Sequence, residues 1–570
     1  MHQPLNTPRP SLYYAYRVHA PWLPSAHGPQ ARKDVVIAGA GPAGLVTALE
    51  LARHGVASVV LNAEQQVSQG SRAIVFTRRS LEILQQVGVA ERMMAKGLPW
   101  RYGNSYYRGQ RVYRMEAPHD AHDRFHPMLN LQQQYLEEYL LDACAAQPLI
   151  DLRWGNKVLQ VEQHEDHALL TIDTPEGEYL LESIWVVAAD GGRSEIRAAL
   201  DVRMEGASYE GLFVIADIEI DLPLPTERLA YFDPDWNPGN TILMHREPHG
   251  IWRVDYQLPA GETPEEALRP ESLKARIDAQ LAMIGFADRP WRLDWSSVYS
   301  ARALTLPDYV QGRILFAGDA AHLLPIFGVR GANTGFQDAQ SLGWHLAYAL
   351  KGIPGVDGAK LLANYSAERV GAAREICEEA GKSTRFMTPP TRGFRLLRDA
   401  VLSLSLSQDF VRPLYHWRTS RPHEYTRSAL NCRDDDNALY TDGPGHGAPP
   451  RNVRLGVDDH LLDHIGGTAG GGFDLLYFTQ EAALPAELLA EVQAARQQGV
   501  ALRVTAIGAG APVQGADQTL ADAEGQVRQR YGVSTSGAAY LLRPDQHVCA
   551  RWLKLDASRL RSALHQALPR

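Results

Sequence analysis

The sequence predicts an α/β fold: a parallel-sheet domain, a β-rich domain inserted into it, and a smaller α/β module at the C-terminal end. Three observations carry that reading. Residues 34–61 run as apolar strand, Gly-rich turn, amphipathic helix (Leu45, Ala48, Leu49, Ala52) and second apolar strand (Ser58-Val-Val-Leu61), a βαβ unit whose strands must be parallel. Residues 203–303 carry repeated strand patterns at 212–220, 241–244 and 251–258, with one helix near 270–284. The run Thr441-Asp-Gly-Pro-Gly-His-Gly-Ala-Pro-Pro450 then breaks the composition ahead of a last set of strands and helices.

The 570 residues correspond to three or four domains at about 150 residues each. Residues 1–33 form an extension whose Tyr13, Tyr14, Tyr16 and Trp22 suit packing on the body, with no catalytic role expected. Residues 34–202 are the first part of the parallel-sheet domain. Within it, 157–162 and 168–173 alternate as a hairpin or meander, and 184–189 is a buried strand. Residues 203–303 are the β-rich insertion and 304–410 the second part of the first domain, where a strand at 313–317 leads through a Gly-rich loop into helices. A linker, 411–455, precedes the module at 456–570, with strands at 473–478, 502–507 and 538–542 and helices at 486–498 and 559–568.

Composition excludes several classes. With 45% hydrophobic and 22% charged residues the chain is a folded one. Its 57 basic against 66 acidic residues, net −9, argue against a nucleic-acid binder. Cys144, Cys377, Cys432 and Cys549 lie far apart with no Cys-x-x-Cys, so neither a disulfide framework nor a zinc ribbon is expected, and a reducing cytoplasm fits. The N-terminal residues lack a continuous apolar core for a signal peptide. The apolar stretch 35–52 is no membrane span, because Gly39, Gly41, Pro42, Gly44 and Glu50 break it.

Three motifs carry chemistry. Gly39-Ala40-Gly41-Pro42-Ala43-Gly44 sits between strand and helix, where glycines allow a tight turn and close approach of a pyrophosphate to the free N–H groups of the helix start. The acidic residue expected after the second strand is absent; Asn62 stands there, and Glu64 just beyond. The second motif is Asp190-Gly191-Gly192-Arg193-Ser194 with Arg197, at the end of a strand; the third is Gly318-Asp319-Ala-Ala-His322, running through 325–331 to a helix beginning at Asn333. A strand-end Asp can fix a polyol hydroxyl, and a helix start can face developing negative charge.

In this order and spacing the three motifs resemble the fingerprints of the single-component FAD-dependent aromatic monooxygenases. Gln133-x-x-Leu136-Glu137, Arg72 after the Gly70-Ser71 turn, and Leu362-x-x-Tyr365-x-x-Glu368-Arg369 match the same pattern. Leu541-Leu-Arg-Pro-Asp-Gln-His547 is similar to the thioredoxin-like tail domain of the phenol hydroxylase and 3-(3-hydroxyphenyl)propionate hydroxylase branch. The resemblance implies a Rossmann-like FAD-binding domain with an inserted substrate domain. It implies FAD as cofactor, NADPH or NADH as reductant, and O2 and a small aromatic molecule as substrates, hydroxylated through a flavin hydroperoxide, without a metal. Gly39, Gly41, Ala43 and Gly44 would hold the pyrophosphate, with Asn62 at the ribose. Arg72, Gln133, Asp190, Gly191 and Asp319 would make further cofactor contacts. The loop from Pro325 would lie against the flavin, with N–H groups of Gly331, Ala332 and Asn333 near its N1. The tail, lacking Cys-x-x-Cys, would be structural, at a homodimer interface.

Pro325, Arg253 and Tyr299 are the candidate catalytic residues. Alternation along Ile251-Trp-Arg-Val-Asp-Tyr-Gln257 puts Arg253, Asp255 and Gln257 on one face, which either grips substrate or is an ion-paired outer face; Tyr299 and Arg302 have the same standing. His322 reads as a structural hydrogen-bonder. His119, His122 and His126 lie between Pro118 and Pro127, so a loop is preferred to a metal site. Ile507-Gly-Ala-Gly510 reads as a turn. The alternatives are epoxidation, Baeyer–Villiger or oxidative decarboxylation chemistry on the same fold, or a silent FAD-binding protein, hinted at by Asn62 and the Val329-Arg330 pair.

Overall fold

Val35 to Ala38 form a continuous apolar run, buried throughout, which is what a strand covered on both faces requires. In the computed structural model, Lys33–Ala38 accordingly pairs in parallel with Ser58–Asn62 on one side and Gly177–Ala188 on the other. Ile150–Trp154 and Ile314–Phe316 extend the sheet in parallel on either side, and the short antiparallel strand Val310–Gln311 lies beyond Ile314–Phe316. The structure describes residues 1–570 except 29, 71, 260, 326, 416–420, 467–469 and 509, and except the side chains of 209, 210 and 301. The Gly70-Ser71, Pro325-to-Thr334 and Ile507-to-Gly510 readings therefore lie partly outside the described residues.

The meander and the buried strand of the sequence reading share one element. Gly177–Ala188 pairs antiparallel with Ala168–Thr174 over its first half and parallel with Lys33–Ala38 over its second. The helices Pro42–Arg53 and Gly331–Leu350 pack on the sheet through Leu45, Val46 and Leu49 and through Phe336, Leu342 and Leu346, all in one apolar core.

A second, eight-stranded sheet stands over the C-terminal ends of the first. Its order is His322–Leu323, Arg292–Thr305, Glu205–Glu219, Ile251–Gln257, Thr241–Arg246, Arg228–Phe232, Tyr102–Tyr107, Gln110–Glu116. The sheet thus takes two strands from residues 102–116, outside the 203–303 boundary drawn from sequence. One face, with Val214, Ile218, Trp252 and Val254, is covered by the helix Pro270–Met283. The other face looks back at the first domain.

The C-terminal residues form a five-stranded mixed sheet, ordered Gln518–Ala521, Leu502–Gly508, Phe473–Phe478, Ala538–Leu542, Val548–Trp552. The helices Ala486–Gln497 and Ala557–Ala567 share its core, which also takes in Trp344 and Tyr348 from the first domain. Among the described residues no helix is long and apolar enough to cross a membrane.

Candidate active site

The three sequence motifs follow three neighbouring parallel strands, so their turns meet at one edge of the sheet, the crevice where such sheets bind ligands. Gly41 and Ala43, Gly191, and Gly318 and Asp319 line one end of a cavity of about 770 Å³, whose other end is walled by the second sheet. Gly39 and Gly44 do not line it. A Cβ on Gly39 would stand 2.3 Å from the Ala189 carbonyl oxygen, and one on Gly44 2.0 Å from that of Gly39, so both serve close packing. At Gly41 a Cβ would meet nothing within 4 Å. That open space lies at the start of the helix Pro42–Arg53, whose N-cap has no side-chain hydrogen bond, a cradle of free N–H groups suited to a pyrophosphate.

The remaining cofactor candidates divide. Arg72, Gln133, Asp319, Gly331, Ala332 and Asn333 line the cavity. Gln133 also holds its surroundings, accepting from Ala73 N at 2.9 Å and donating to Glu137 at 2.7 Å. Asp319 exposes its side chain, but to the cavity rather than to bulk water, and burial in the surrounding protein raises its carboxyl against the pull of His322 and Arg72. Asn333 spends its side chain on structure: Oδ1 accepts from Thr77 N at 2.9 Å and Ser80 Oγ at 2.6 Å, and Nδ2 donates to Val75 O at 2.9 Å. Only its backbone faces the site, with the N–H groups of the first helical turn.

Asp190 and Asn62 stand outside the cavity lining. Asp190 accepts from Ile196 N at 3.2 Å, its other oxygen has no partner among the described residues, and burial raises its carboxyl. Asn62 accepts from Glu64 N at 3.4 Å and ends the strand Ser58–Asn62. Pro325 is buried and does not line the cavity, whereas its neighbour Leu324 does. Val329, which lines it too, has φ 63°, a left-handed conformation that strains a β-branched residue.

At the other end, the sheet face with Arg253 and Asp255 is the cavity roof and not an outer face: the two are 4% and 6% exposed. Tyr299, His245 and Arg228 come from three further strands of that roof, with Leu212, Ile215, Leu243 and Val298 as apolar lining. Arg253 is committed to its frame. It ion-pairs with Asp217 at 2.9 Å and Glu247 at 3.5 Å, and donates to the Arg72 carbonyl at 3.0 Å; these carboxylates outweigh burial and hold its guanidinium charged. By contrast His245 Nδ1, Asp255 Oδ1 and Tyr299 Oη are buried with no hydrogen-bond partner among the described residues. Burial pushes Asp255 up to about 7, with Arg253 and Arg228 opposing and Asp217 assisting. It pushes Tyr299 well above its usual range and His245 well below.

Behind the cofactor end lies a buried network. His322 Nε2 and Gly318 N both reach Asp338 Oδ2, at 2.7 and 3.0 Å, and Arg369 donates to Asp338 Oδ1 at 2.6 Å. Asp338 thereby fixes the Gly318-Asp319 turn. His322 has the structural place expected of it. His119 and His126 stack at 4.8 Å in a loop, and no cluster of three or more metal-ligating side chains occurs among the described residues.

The turns, the helix start and the open space at Gly41 fit an FAD. The model of the FAD binding domain family matches residues 32–380. The chain belongs to that family. This flavoprotein is 27% identical over 439 residues to a 3-(3-hydroxy-phenyl)propionate/3-hydroxycinnamic acid hydroxylase of Mycolicibacterium smegmatis, covering 73% of this chain and 76% of that one. It is 26% identical over 566 residues to the enzyme of the same name from Mycobacterium avium, covering 95% and 94%. Among solved structures, a ternary complex of aklavinone-11 hydroxylase with FAD and aklavinone has the same fold, with a TM-score of 0.76 at 24% identity over 95% of this chain and 100% of that one. FAD is thus the cofactor, and the flavoprotein is an FAD-dependent monooxygenase of the hydroxylase type.

Sequence reasoning passed over His245, Arg228 and Asp338. Nothing marks Asp338 in the sequence. The strand alternation that grouped Asp255 with Arg253 contained the signal for Asp255, without saying which of the two was already paired.

Proposed function

We propose that this flavoprotein hydroxylates a small phenolic ring, with NADH or NADPH and O2 as co-substrates. The observation that carries the reading is the trio of buried polar atoms on His245, Asp255 and Tyr299 without a hydrogen-bond partner among the described residues, on a cavity roof that also presents Arg228 and Arg253 and the apolar side chains of Leu212, Ile215, Leu243 and Val298. Buried polar groups are ordinarily paired, and a ring hydroxyl would pair them while its carbon frame lies against Leu212, Ile215, Leu243 and Val298. Two relatives named for hydroxyphenyl and hydroxycinnamic substrates support the same class.

In this reading Gly41 and Ala43 seat the FAD pyrophosphate on the helix start, Gly39 and Gly44 keep that turn tight, and Arg72, Gln133, Gly191 and Asp319 line the rest of its path. Asp190 orders the second turn, Asn62 stands at the ribose end, and the N–H groups of Gly331, Ala332 and Asn333 face the flavin. FAD held there would supply, with the nicotinamide as reductant and O2 as oxidant, the electrophilic oxygen that hydroxylation needs. Asp255 takes the proton of the ring hydroxyl on its free oxygen, and Tyr299 Oη donates to the oxyanion that results. Arg228 and Arg253 hold positive charge beside it. Arg253 acts from within its ion pairs, and Pro325 has no side-chain role. The apolar walls exclude water that would divert the oxygen. The C-terminal module, thioredoxin-like in this reading, is structural, and the enzyme works in the cytoplasm.

The test is NADH and NADPH oxidation by the purified holoenzyme against phenols, hydroxybenzoates and hydroxyphenylpropionates, with hydrogen peroxide quantified. Oxidation stimulated by a phenol, with little peroxide and a product heavier by one oxygen, is the expected result. Bound FAD with no stimulation by any phenol would refute the phenolic reading.

A further inference from the structure

Residues 1–27 precede the segment matched by the family model, yet they are laid along the cofactor domain as a strap. The strap begins and ends on the chain that follows the strand Ser58–Asn62. His2 Nε2 lies 2.6 Å from Ala63 O, Leu5 N donates to Glu64 at 2.7 Å, and His19 N donates to Gln65 O at 2.7 Å. His19 then stacks on Trp154 at 4.1 Å, and Trp22 N donates to Trp154 O at 2.9 Å.

Between these anchors the strap crosses to the second sheet. Arg9 Nη2 and Ser11 Oγ each donate to Asp294 at 2.8 Å, and Leu12 N does so at 2.5 Å. The Asp294 side chain is fully buried and belongs to the strand Arg292–Thr305, which also carries Tyr299 of the cavity roof. Tyr13, Tyr14 and Tyr16 return over the helix Gln133–Ala145, Tyr14 edge-on to Tyr16 at 4.7 Å and to Tyr135 at 5.0 Å.

Tyr16 then reaches the loop that presents Arg72. Its Oη accepts from Gly70 N at 3.0 Å in a buried hydrogen bond. Gly70 has φ 76°, and a Cβ there would lie 2.2 Å from the Trp295 ring, so it is held between Tyr16 and Trp295, the residue beside Asp294. Its carbonyl accepts from Arg72 N at 3.1 Å, and the Arg72 carbonyl accepts from Arg253. On either side, Ser68 N is held by Glu137 at 2.7 Å and Ala73 N by Gln133 at 2.9 Å. Arg72 itself lines the cavity at its cofactor end.

We propose that residues 1–27 are a strap that sets the position of Arg72 on the cofactor, with Tyr16 as the positioning residue and Asp294 tying the strap to the substrate sheet. The loop is pinned by the cofactor domain, by the sheet and by the strap, and the strap holds Gly70, two residues from Arg72, so loosening it removes one of the three anchors. A bond to a fixed backbone amide is lost in Tyr16→Phe while the ring packing stays.

The test measures FAD binding to the apoprotein by flavin fluorescence, in wild type, Tyr16→Phe, Asp294→Asn, Arg72→Ala and the double variant Tyr16→Phe/Arg72→Ala. Tyr16→Phe is expected to raise the FAD Kd about tenfold with apoprotein Tm unchanged, and Asp294→Asn, which takes the carboxylate from the buried pair with Arg9, to raise it about as far with a lowered Tm. In the Arg72→Ala background, Tyr16→Phe is expected to add less than twofold, because its effect runs through Arg72. An unchanged Kd in Tyr16→Phe overturns the proposal. So does a full additional loss in the double variant, which would make the strap a general brace, and so does a Kd loss in Tyr16→Phe that comes with a lowered apoprotein Tm.

Discussion

The guanidinium of Arg543 donates to both carboxylate oxygens of Glu368, at 2.6 and 3.0 Å, in a buried fork that joins the C-terminal module to the cofactor domain. The partners belong to the last two motifs of the family resemblance, Leu362 to Arg369 and Leu541 to His547, and the structure brings them into a single contact. Arg543 also binds Asp545 at 2.7 Å. The next residue on the Glu368 helix, Arg369, donates to Tyr425 of the linker at 2.7 Å and to Asp338 behind the cofactor turn. The tail is therefore wired to the Gly318-Asp319 turn through four buried side chains.

Removing the fork should detach the module rather than disturb the chemistry directly. Arg543→Ala leaves Glu368 and Asp545 buried without their cation, which costs about 3–5 kcal/mol. Chemical denaturation should show that loss as an early transition, and limited proteolysis should cut in the 411–455 linker of the variant at protease levels that leave wild type intact. A single unshifted transition would mean that the apolar contacts around Trp344 and Tyr348 hold the interface alone.

The two kinds of glycine in the first turn should fail differently. Gly44→Ala forces a methyl to 2.0 Å from a backbone carbonyl, so the helix Pro42–Arg53 must move off the sheet and the apoprotein itself loses stability, by about 1–3 kcal/mol for an overpacked core site. Gly41→Ala meets nothing in the protein. Its apoprotein Tm should stay within a few degrees of wild type while FAD binding falls at least tenfold, read by differential scanning fluorimetry with and without FAD.

How far these roles could be read in advance depends on what a side-chain pattern encodes. The parallel core was legible because apolar runs such as Val35 to Ala38 admit few readings once a Gly-rich turn and a helix follow. The strands Tyr102–Tyr107 and Gln110–Glu116 were not, because Asn104 and Ser105 break the alternation, although both are buried and Asn104 donates to Glu227 at 2.6 Å. Period-two patterning placed Arg253 and Asp255 on one face. It could not tell whether that face met solvent or a cavity, since that depends on a domain distant in sequence. Nor could it pair Arg253 with Asp217 on a neighbouring strand, the contact that shifts the chemical role toward Asp255.

Arg253 should accordingly behave as framework. Arg253→Met strands Asp217 and Glu247 in the interior and should cost about 3–5 kcal/mol of stability, seen as a lowered denaturant midpoint. A substrate ligand and nothing more would raise KM for the phenol and leave the midpoint alone.

Asp255 offers the sharpest separation of stability from function. Burial is the main cause of its raised carboxyl, near 7, against about 3.9 in an unfolded chain. Between those values the folded state holds a proton that the unfolded state has lost, so this group's contribution to stability falls as pH rises from 4 through 7. Asp255→Asn removes that liability: the variant should match wild type near pH 4 and exceed its Tm at pH 8. The same substitution removes the proton acceptor. A phenol-stimulated reaction in wild type should lose rate below about pH 7 as the carboxyl protonates, and the variant should be slow at every pH, with that acid limb gone. Binding of a nitrophenol gives a readout independent of turnover, since its phenolate absorbs in the visible. Wild-type holoenzyme should bind it as phenolate at pH values where the variant binds the neutral phenol. An unchanged acid limb and an unchanged bound spectrum in Asp255→Asn would return the proton to another group, with Tyr299 and His245 the remaining candidates on the roof.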